Sequence, residues 1–428
     1  MKKLFKLLIT RIFVKQNNKI ISKYQPKIIV VVGSIGKTST KLAIANILSK
    51  KYRVQYENGN YNVPLSVPFV LTGQRLPRLT SLAGWLRAYR NGQKILREGL
   101  NYDIVVLEYS IDHVGEMNQF SVFPPADYLV VSAIAPEHME NLLDIETVAK
   151  EELKATNYSK YILFNSNTVN KEFIDKYGNT SANYQSYGEH SSADFVQYKT
   201  KNNGRYYLKL VNRQNQTLAD APTNMIAKHS LDAISAAAVI AGELNVPEND
   251  INQALKEFSN PSGRMNILSG KQQSLIIDDS YNSSPEAVIA ALDALYSLDY
   301  INKIAILGNM NELGDYSVAA HKTVGAYCDP KKLDLVITIG PDANQYLAKA
   351  AQENGCQVIT TNSPASAGKL VLEQLKNKSA ILVKGSQNKV FAEEAIKPLL
   401  LNLEDMTKLV RQSDYWMNLK RSQFSDIS

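Results

Sequence analysis

The residues with the clearest chemical potential lie between 33 and 40. Gly33-Ser34-Ile35-Gly36-Lys37-Thr38-Ser39-Thr40 follows Val30-Val31-Val32 and precedes KLAIANILSK. A strand, a glycine turn and a helix N-terminus aim backbone N–H groups and the helix dipole at one point, which suits a phosphate. Lys37 can reach the β- and γ-phosphates of a nucleotide, and the Thr38 hydroxyl can ligate Mg²⁺. The full Walker pattern has a further glycine where Val31 stands, so the shorter GxxGKT form is the match. A chance lysine in an ordinary strand-to-helix turn is the alternative. Strand, GKT and helix in the right order argue against it.

Two more groups fall where such a loop would use them. The apolar run DIVVLEYS (103–110) carries Glu108 toward its C-terminal end. The run DYLVVSAI (127–134) leads into Ala135-Pro136-Glu137-His138. Ligands of open parallel sheets gather at the C-terminal ends of strands. Glu108 is therefore expected beside the phosphate loop, and His138 at the next strand end as a ligand for a second Mg²⁺. Taken alone, either residue is as easily structural; their shared position favours function.

The elements that must position these groups repeat along the chain. Apolar β-rich runs at 27–33, 52–57, 103–110, 127–134 and 161–166 alternate with helical stretches. Continuous Val/Ile/Leu runs suit parallel strands buried on both faces. A polar, Asn- and Tyr-rich stretch at 180–222 reads as a small antiparallel excursion, and 229–246 as a buried Ala-rich helix. NPSGR (260–264) is turn chemistry and a hinge. Beyond it come runs at 274–280, 303–308, 333–340, 356–361 and 379–386. The fold expected is α/β. A P-loop central domain with a mostly parallel sheet (27–262) precedes a Rossmann-like α/β domain (263–428), and a basic segment (1–26) precedes both. The polar tail from 405 has Trp416 as its anchor.

The 428 residues have an ordinary soluble composition, with 44% apolar and 21% charged residues, which excludes disordered and collagen-like classes. Two cysteines exclude a disulfide scaffold and a cysteine-rich zinc ribbon. The first residues lack the cleavage pattern of a signal peptide, so a cytoplasmic protein is expected. Residues 1–56 hold 13 Lys/Arg and no acid, against a net charge of +7 for the whole chain. The body is therefore no general polyanion binder, and no nucleic-acid partner is expected. As a helix, residues 4–15 put Phe5, Leu8, Ile9 and Ile12 on one side. Two readings stay open: contact of residues 1–22 with an anionic membrane at its inner face, or packing against the protein's own body.

These residues resemble the Mur ligases of peptidoglycan synthesis, most of all the MurF type that adds D-alanyl-D-alanine to a UDP-N-acetylmuramoyl tripeptide. The matching segments are GSIGKTST (33–40), GNYNVPLSVP (59–68), VLEYSIDHVGEM (106–117), APEHMENLLDIETVAK (135–150), PSGRMN (261–266), IDDSYNSSP (277–285), LGNMNELG (307–314) and LVKGS (382–386). The resemblance implies an ATP- and Mg²⁺-dependent peptide ligase of cell-wall biogenesis; a monomer is expected. ATP phosphorylates a substrate carboxylate, and an amine attacks the acyl phosphate to give an amide. Phosphoryl transfer needs positioning and charge neutralisation more than covalent help. By position, Thr38 and Glu108 would hold one Mg²⁺ and His138 the second. Gly33, Ser34, Gly36, Lys37, Ser39, Asn60 and His229 would lie about the nucleotide, with Arg264 and Asp279 reaching it from beyond the hinge. Asn62, Tyr281, Asn282, Lys384 and Ser386 would serve the substrates. Lys37, His138, Arg264 and Lys384 are the expected catalytic groups.

The sequence departs from the family pattern in four places. Only 26 residues precede the first strand, where the family has a uridine-nucleotide domain, so the acceptor expected is a small-molecule or lipid-linked peptide substrate other than a soluble UDP-muramoyl peptide. The lysine the family carries fourteen residues after the metal histidine, carbamylated in several members, is Glu152 here. A glutamate offers the same charge and oxygen pair, so Glu152 is expected to join His138 at the second Mg²⁺. The adenine-side HNxxN pattern reads His229-Ser230-Leu231-Asp232-Ala233. Asn309 and Gln387 replace an aspartate and an arginine. Two other functions remain: an amide ligase for a folate, poly-glutamate or cyanophycin-like acceptor, and a non-catalytic nucleotide-binding module at the membrane surface.

Overall fold

The computed structural model describes residues 2–57, 59, 61–202 and 205–427. Asn60 lies outside them. The chain divides into two compact units. One takes residues 1–135, 141–224 and 231–258; the other takes 136–140, 225–230 and 259–428.

The first unit opens with helix α1 (Lys2–Tyr24) and strand β1 (Lys27–Val32), followed by helix α2 (Lys37–Leu48). Next come β2 (Val54–Gln55), α3 (Val67–Leu71), α4 (Leu82–Glu98), β3 (Ile104–Glu108) and β4 (Ala126–Val131). The sheet continues with β5 (Ser159–Asn165), β6 (Asn183–Gly188), β7 (Phe195–Asn202), β8 (Arg205–Asn212) and β9 (Thr217–Thr223). The strand order is β2-β3-β1-β4-β5-β6-β7-β8-β9. β1 is central and buried from Ile28 onward, which is why its sequence is an unbroken apolar run. Its register sets Val31 opposite both Glu108 on β3 and Val130 on β4. The chain leaving β1 thus emerges beside Glu108.

The stretch from 180 to 222 holds the expected antiparallel strands, and they continue the main sheet. β6 joins β5 in parallel, β7 pairs briefly with β6 in parallel, and β7, β8 and β9 form an antiparallel meander. The unpaired edge of a parallel sheet is a template for further strands, and here the same sheet grows to nine.

Helix α1 packs on the first unit, but not by the expected face. Ile9, Phe13, Val14, Ile20 and Ile21 are buried, whereas Leu8 and Ile12 are 58% and 43% exposed. The 3–4 spacing of Ile9, Phe13 and Ile20 selects the packed stripe. The Phe13 ring lies 4.9 Å from Phe69 and 5.8 Å from Trp85. Phe5 lies outside the described side chains.

The second unit is a six-stranded sheet, β10 (Asn266–Ser269), β11 (Leu275–Asp279), β12 (Asn302–Gly308), β13 (Leu335–Ile339), β14 (Val358–Thr361) and β15 (Ser379–Lys384). Its order is β10-β11-β15-β12-β13-β14, parallel except for β10. The sequence reading missed β10, a four-residue edge strand too short to show a period. The tail has a stronger anchor than Trp416. Lys420, on the helix Asp414–Gln423, is fully buried and reaches Glu393 at 2.8 Å and Glu394 at 2.7 Å. Trp416 adds an edge contact to the Phe391 ring at 6.2 Å.

Candidate active site

The phosphate loop is shaped by two glycines. Gly33 sits at φ 120°, and a Cβ there would come within 2.6 Å of the Ala133 carbonyl oxygen. Gly36 takes φ 84° at the N-cap of α2. These are conformations that glycine adopts without penalty. The loop is tied to the end of β4. Ser34 donates its N–H to the Ala133 carbonyl at 2.9 Å, and Ala135 N–H donates to Ser34 Oγ at 3.0 Å. Ser132 Oγ donates to the Ile35 carbonyl at 2.7 Å. Helix α2 has no side-chain cap and no acid in its first turn. A helix N-terminus without a carboxylate of its own suits an anion. Lys37 and Ser39 are buried in that turn, and Lys37 Nζ donates to the Gly33 carbonyl and, at 3.3 Å, to that of Ser34.

Thr38 and Glu108 meet as the register requires. Thr38 Oγ1 lies 3.2 and 3.1 Å from the two carboxylate oxygens of Glu108. Lys41 Nζ sits 3.1 Å from Glu108 Oε2, and both side chains are almost wholly buried. The sequence reading missed Lys41. Its signal was the spacing: one turn after Lys37, on the same face of α2. A hydroxyl and a carboxylate are hard oxygen donors of the kind Mg²⁺ takes with nucleotide phosphates, which need only one or two carboxylates. Among the described residues no group of three His, Cys, Asp or Glu side chains could hold a metal alone.

Glu152 lies under this loop. It is 1% exposed, and its Oε2 accepts the Gly33 N–H at 2.9 Å. Its neighbour Glu151 accepts the Gly115 N–H at 2.9 Å and pairs with Lys154. Asn62 is half-buried, and its carbonyl accepts the Ser110 N–H at 3.0 Å just beyond the end of β3.

In the second unit, His138 lies in the short segment 136–140. Its Nδ1 is 3.1 Å from Glu312 and its Nε2 3.5 Å from Glu137. The hydrogen bond from His138 holds the Glu312 carboxyl below its ordinary range. His138 and Glu312 both take left-handed φ, 51° and 65°. Glu312, in the NELG segment, was not singled out from the sequence.

β11 and β15 bring Asp279 and Lys384 into register. Lys384 Nζ is 2.6 Å from Asp279 Oδ2 and donates to the Asn282 carbonyl at 3.0 Å. Asp279 Oδ1 accepts the Met265 N–H at 3.1 Å. The two side chains expected on different substrates are thus a buried ion pair. His229 is half-buried, with an unpartnered buried Nδ1. Burial holds its imidazole below the usual histidine range; Asp279 opposes this, while Lys384 and Arg264 add to it. Arg264 lies over the Tyr281 ring at 4.3 Å. Arg411, on no sequence-based roster of the site, donates to the Ser280 and Tyr281 carbonyls at 2.7 and 3.0 Å. Ser386 Oγ accepts the Asn311 N–H at 2.9 Å and donates to the Ser283 carbonyl at 3.2 Å.

The departures have local explanations. Asn309 Oδ1 accepts the Ala343 N–H at 2.8 Å. Ser230 Oγ accepts from Asn260 at 3.1 Å. In the first unit Asp232 accepts amide protons from Asn165, Asn167 and Gln197 at 3.0, 3.2 and 2.5 Å.

The strand, glycine loop, uncapped helix and Thr38–Glu108 pair are the marks of a P-loop α/β nucleotide-binding protein. Two family models match: the Mur ligase middle domain over residues 31–241 and the Mur ligase glutamate ligase domain over 263–387. The chain belongs to the Mur ligase family. Among curated proteins, the UDP-N-acetylmuramoyl-tripeptide–D-alanyl-D-alanine ligase of Haemophilus influenzae is 25% identical over 75% of this chain and 65% of its own length. That of Bacillus subtilis is 26% identical over 73% and 63%. The chain thus spans less than two thirds of either relative. The crystal structure of a MurF ligase from Thermotoga maritima in complex with ADP aligns with TM-score 0.73 at 21% identity, covering 93% of this chain and 84% of that one.

Proposed function

We propose that this protein is an ATP-dependent amide ligase of MurF type. It would join a dipeptide such as D-alanyl-D-alanine to the carboxylate of a peptidoglycan-precursor peptide, free or lipid-linked. The observation that carries the reading is the Thr38 hydroxyl set against both oxygens of Glu108 at the mouth of the phosphate loop. That donor pair suits Mg²⁺, which neutralises charge on the nucleotide when bound. His138 and Glu152 are the candidates for a second ion.

The chain's own groups supply the rest. Lys37 turns from the Gly33 carbonyl to the β- and γ-phosphates, while Gly33, Ser34, Gly36 and Ser39 shape and donate to the phosphate cradle. Asn60, His229, Arg264 and Asp279 serve the nucleotide. Asn62 lies near the carboxylate to be phosphorylated. Tyr281, Asn282, Lys384 and Ser386 orient the incoming amine, whose attack expels phosphate from the acyl phosphate. The activity belongs in the cytoplasm, where ATP is available.

The test is ATP-dependent phosphate release against a panel of carboxylate acceptors and amines. Release should require both a muramoyl-peptide acceptor and a D-alanyl dipeptide, and should fall 10²–10³-fold in Lys37→Ala. Release driven by glutamate on a folate acceptor, or a Lys37→Ala rate within about tenfold of wild type, overturns the reading.

A further inference from the structure

We propose that the outer face of the α1–α4 pair docks on an anionic lipid membrane. The two helices lie side by side. Phe13 is 5.8 Å from Trp85 and 6.5 Å from Tyr89, and Gln16 donates to the Tyr89 carbonyl at 2.9 Å. Farther along, Lys23 and Tyr24 both donate to the Leu96 carbonyl, at 2.9 and 3.0 Å. Contacts advance in step on both helices, so they run parallel. Their inner faces send Ile9, Phe13, Trp85 and Ala88 into one cluster with Phe69.

The outer faces are not the usual polar surface. Leu8 and Ile12 on α1 are 58% and 43% exposed, and Leu82 and Leu86 on α4 are 75% and 51% exposed. Each pair is spaced four residues apart and so shares a helix face. Single exposed apolar side chains need no explanation; a set of them on one helix pair does. Exposed cations flank them: Arg11, Lys15 and Lys19 on α1, and Arg87, Arg90, Lys94 and Arg97 on α4. Residues 1–98 hold nineteen Lys/Arg and two acids, Glu57 and Glu98, the latter 3.7 Å from Lys94.

Leucines set among cations match a bilayer interface, where apolar side chains enter the acyl boundary and cations meet anionic headgroups. A nucleic acid would use the charge and leave Leu82 and Leu86 without a role. No described helix is long and apolar enough to cross a membrane, so contact is at the surface. The packed cluster also links the face to the candidate site. Tyr61 and Leu76 pack against it, and Tyr61 Oη accepts the Leu76 N–H at 3.1 Å beside Asn62. Docking would thus bring a membrane-borne acceptor to the loop that carries Asn62.

The test is co-sedimentation of the full chain with phosphatidylcholine vesicles, with and without phosphatidylglycerol, and needs no ligase activity. Binding should require phosphatidylglycerol and weaken with salt. Leu82→Ser/Leu86→Ser and Arg87→Glu/Arg90→Glu should each lower the partition by about tenfold or more, with unchanged thermal unfolding. No binding to the anionic vesicles, or wild-type binding by both variants, overturns the proposal. Tighter binding to a DNA duplex than to the vesicles at equal salt makes the face a nucleic-acid surface instead.

Discussion

The Glu152 carboxylate accepts the Gly33 amide proton at 2.9 Å, tying the helix Ile145–Leu153 to the first residue of the phosphate loop. Two substitutions separate its shape from its charge. Glu152→Gln keeps an acceptor for Gly33, so ATP affinity should hold while the Mg²⁺ concentration for half-maximal rate rises. Glu152→Ala strands a buried N–H, at a cost of about 1–3 kcal/mol, and ATP affinity should drop about tenfold or more. Calorimetry and Mg²⁺ titration of phosphate release read the two effects. An unchanged Mg²⁺ requirement in the Gln variant would confine Glu152 to holding the loop.

Lys41 balances Glu108 at 3.1 Å in a buried setting. Removing one partner of such a pair leaves an uncompensated buried charge, worth about 3 kcal/mol or more. Lys41→Met should lower the melting temperature without Mg²⁺ and regain much of the loss when Mg²⁺ and ADP are added. A variant whose thermal shift on addition equals that of wild type would show that Lys41 and the ion do not share Glu108.

Asp278 is fully buried, and burial pushes its carboxyl up to about 6, against hydrogen bonds from Ser280 and Gly263 that pull it down; the charge of Glu393 adds to the rise. The folded state therefore holds this proton more tightly than the unfolded chain, whose value is 3.8. The stabilisation is full below about pH 4 and is lost as pH rises through 6, a change of at most about 3 kcal/mol. Urea denaturation of wild type and Asp278→Asn at several pH values should show the wild type losing ground to the variant across that window. A constant difference would place the ionisation elsewhere.

Arg411 forks onto Glu393 at 2.9 and 2.7 Å while holding the carbonyls of Ser280 and Tyr281. A lysine cannot reproduce the fork. Arg411→Lys should lower the melting temperature and raise KM for the amine substrate severalfold, leaving kcat within about twofold, since uniform binding alone is lost. A fall in kcat at constant KM would assign Arg411 to the chemical step instead.

Much was legible in the sequence because local chemistry enforced it. Val30-Val31-Val32 running into Gly33, Gly36 and Lys37 leaves few conformations other than strand, turn and helix. Glu108 could be placed beside Thr38 because a parallel strand ending in a carboxylate must deliver it to the edge where the loop emerges. Register and burial, in contrast, depend on partners far along the chain. Nothing in KKLFKLLITRIF says that Ile9 and Phe13 will meet Phe69 and Trp85 while Leu8 and Ile12 stay outside; α3 and α4 decide it. Lys384 finds Asp279 across 105 residues only because β15 inserts next to β11. Lys41, Arg411 and Lys420 read as solvated cations in one dimension, and only tertiary packing buries them. A buried charge must find its counter-charge, and the fold determines which one lies within reach.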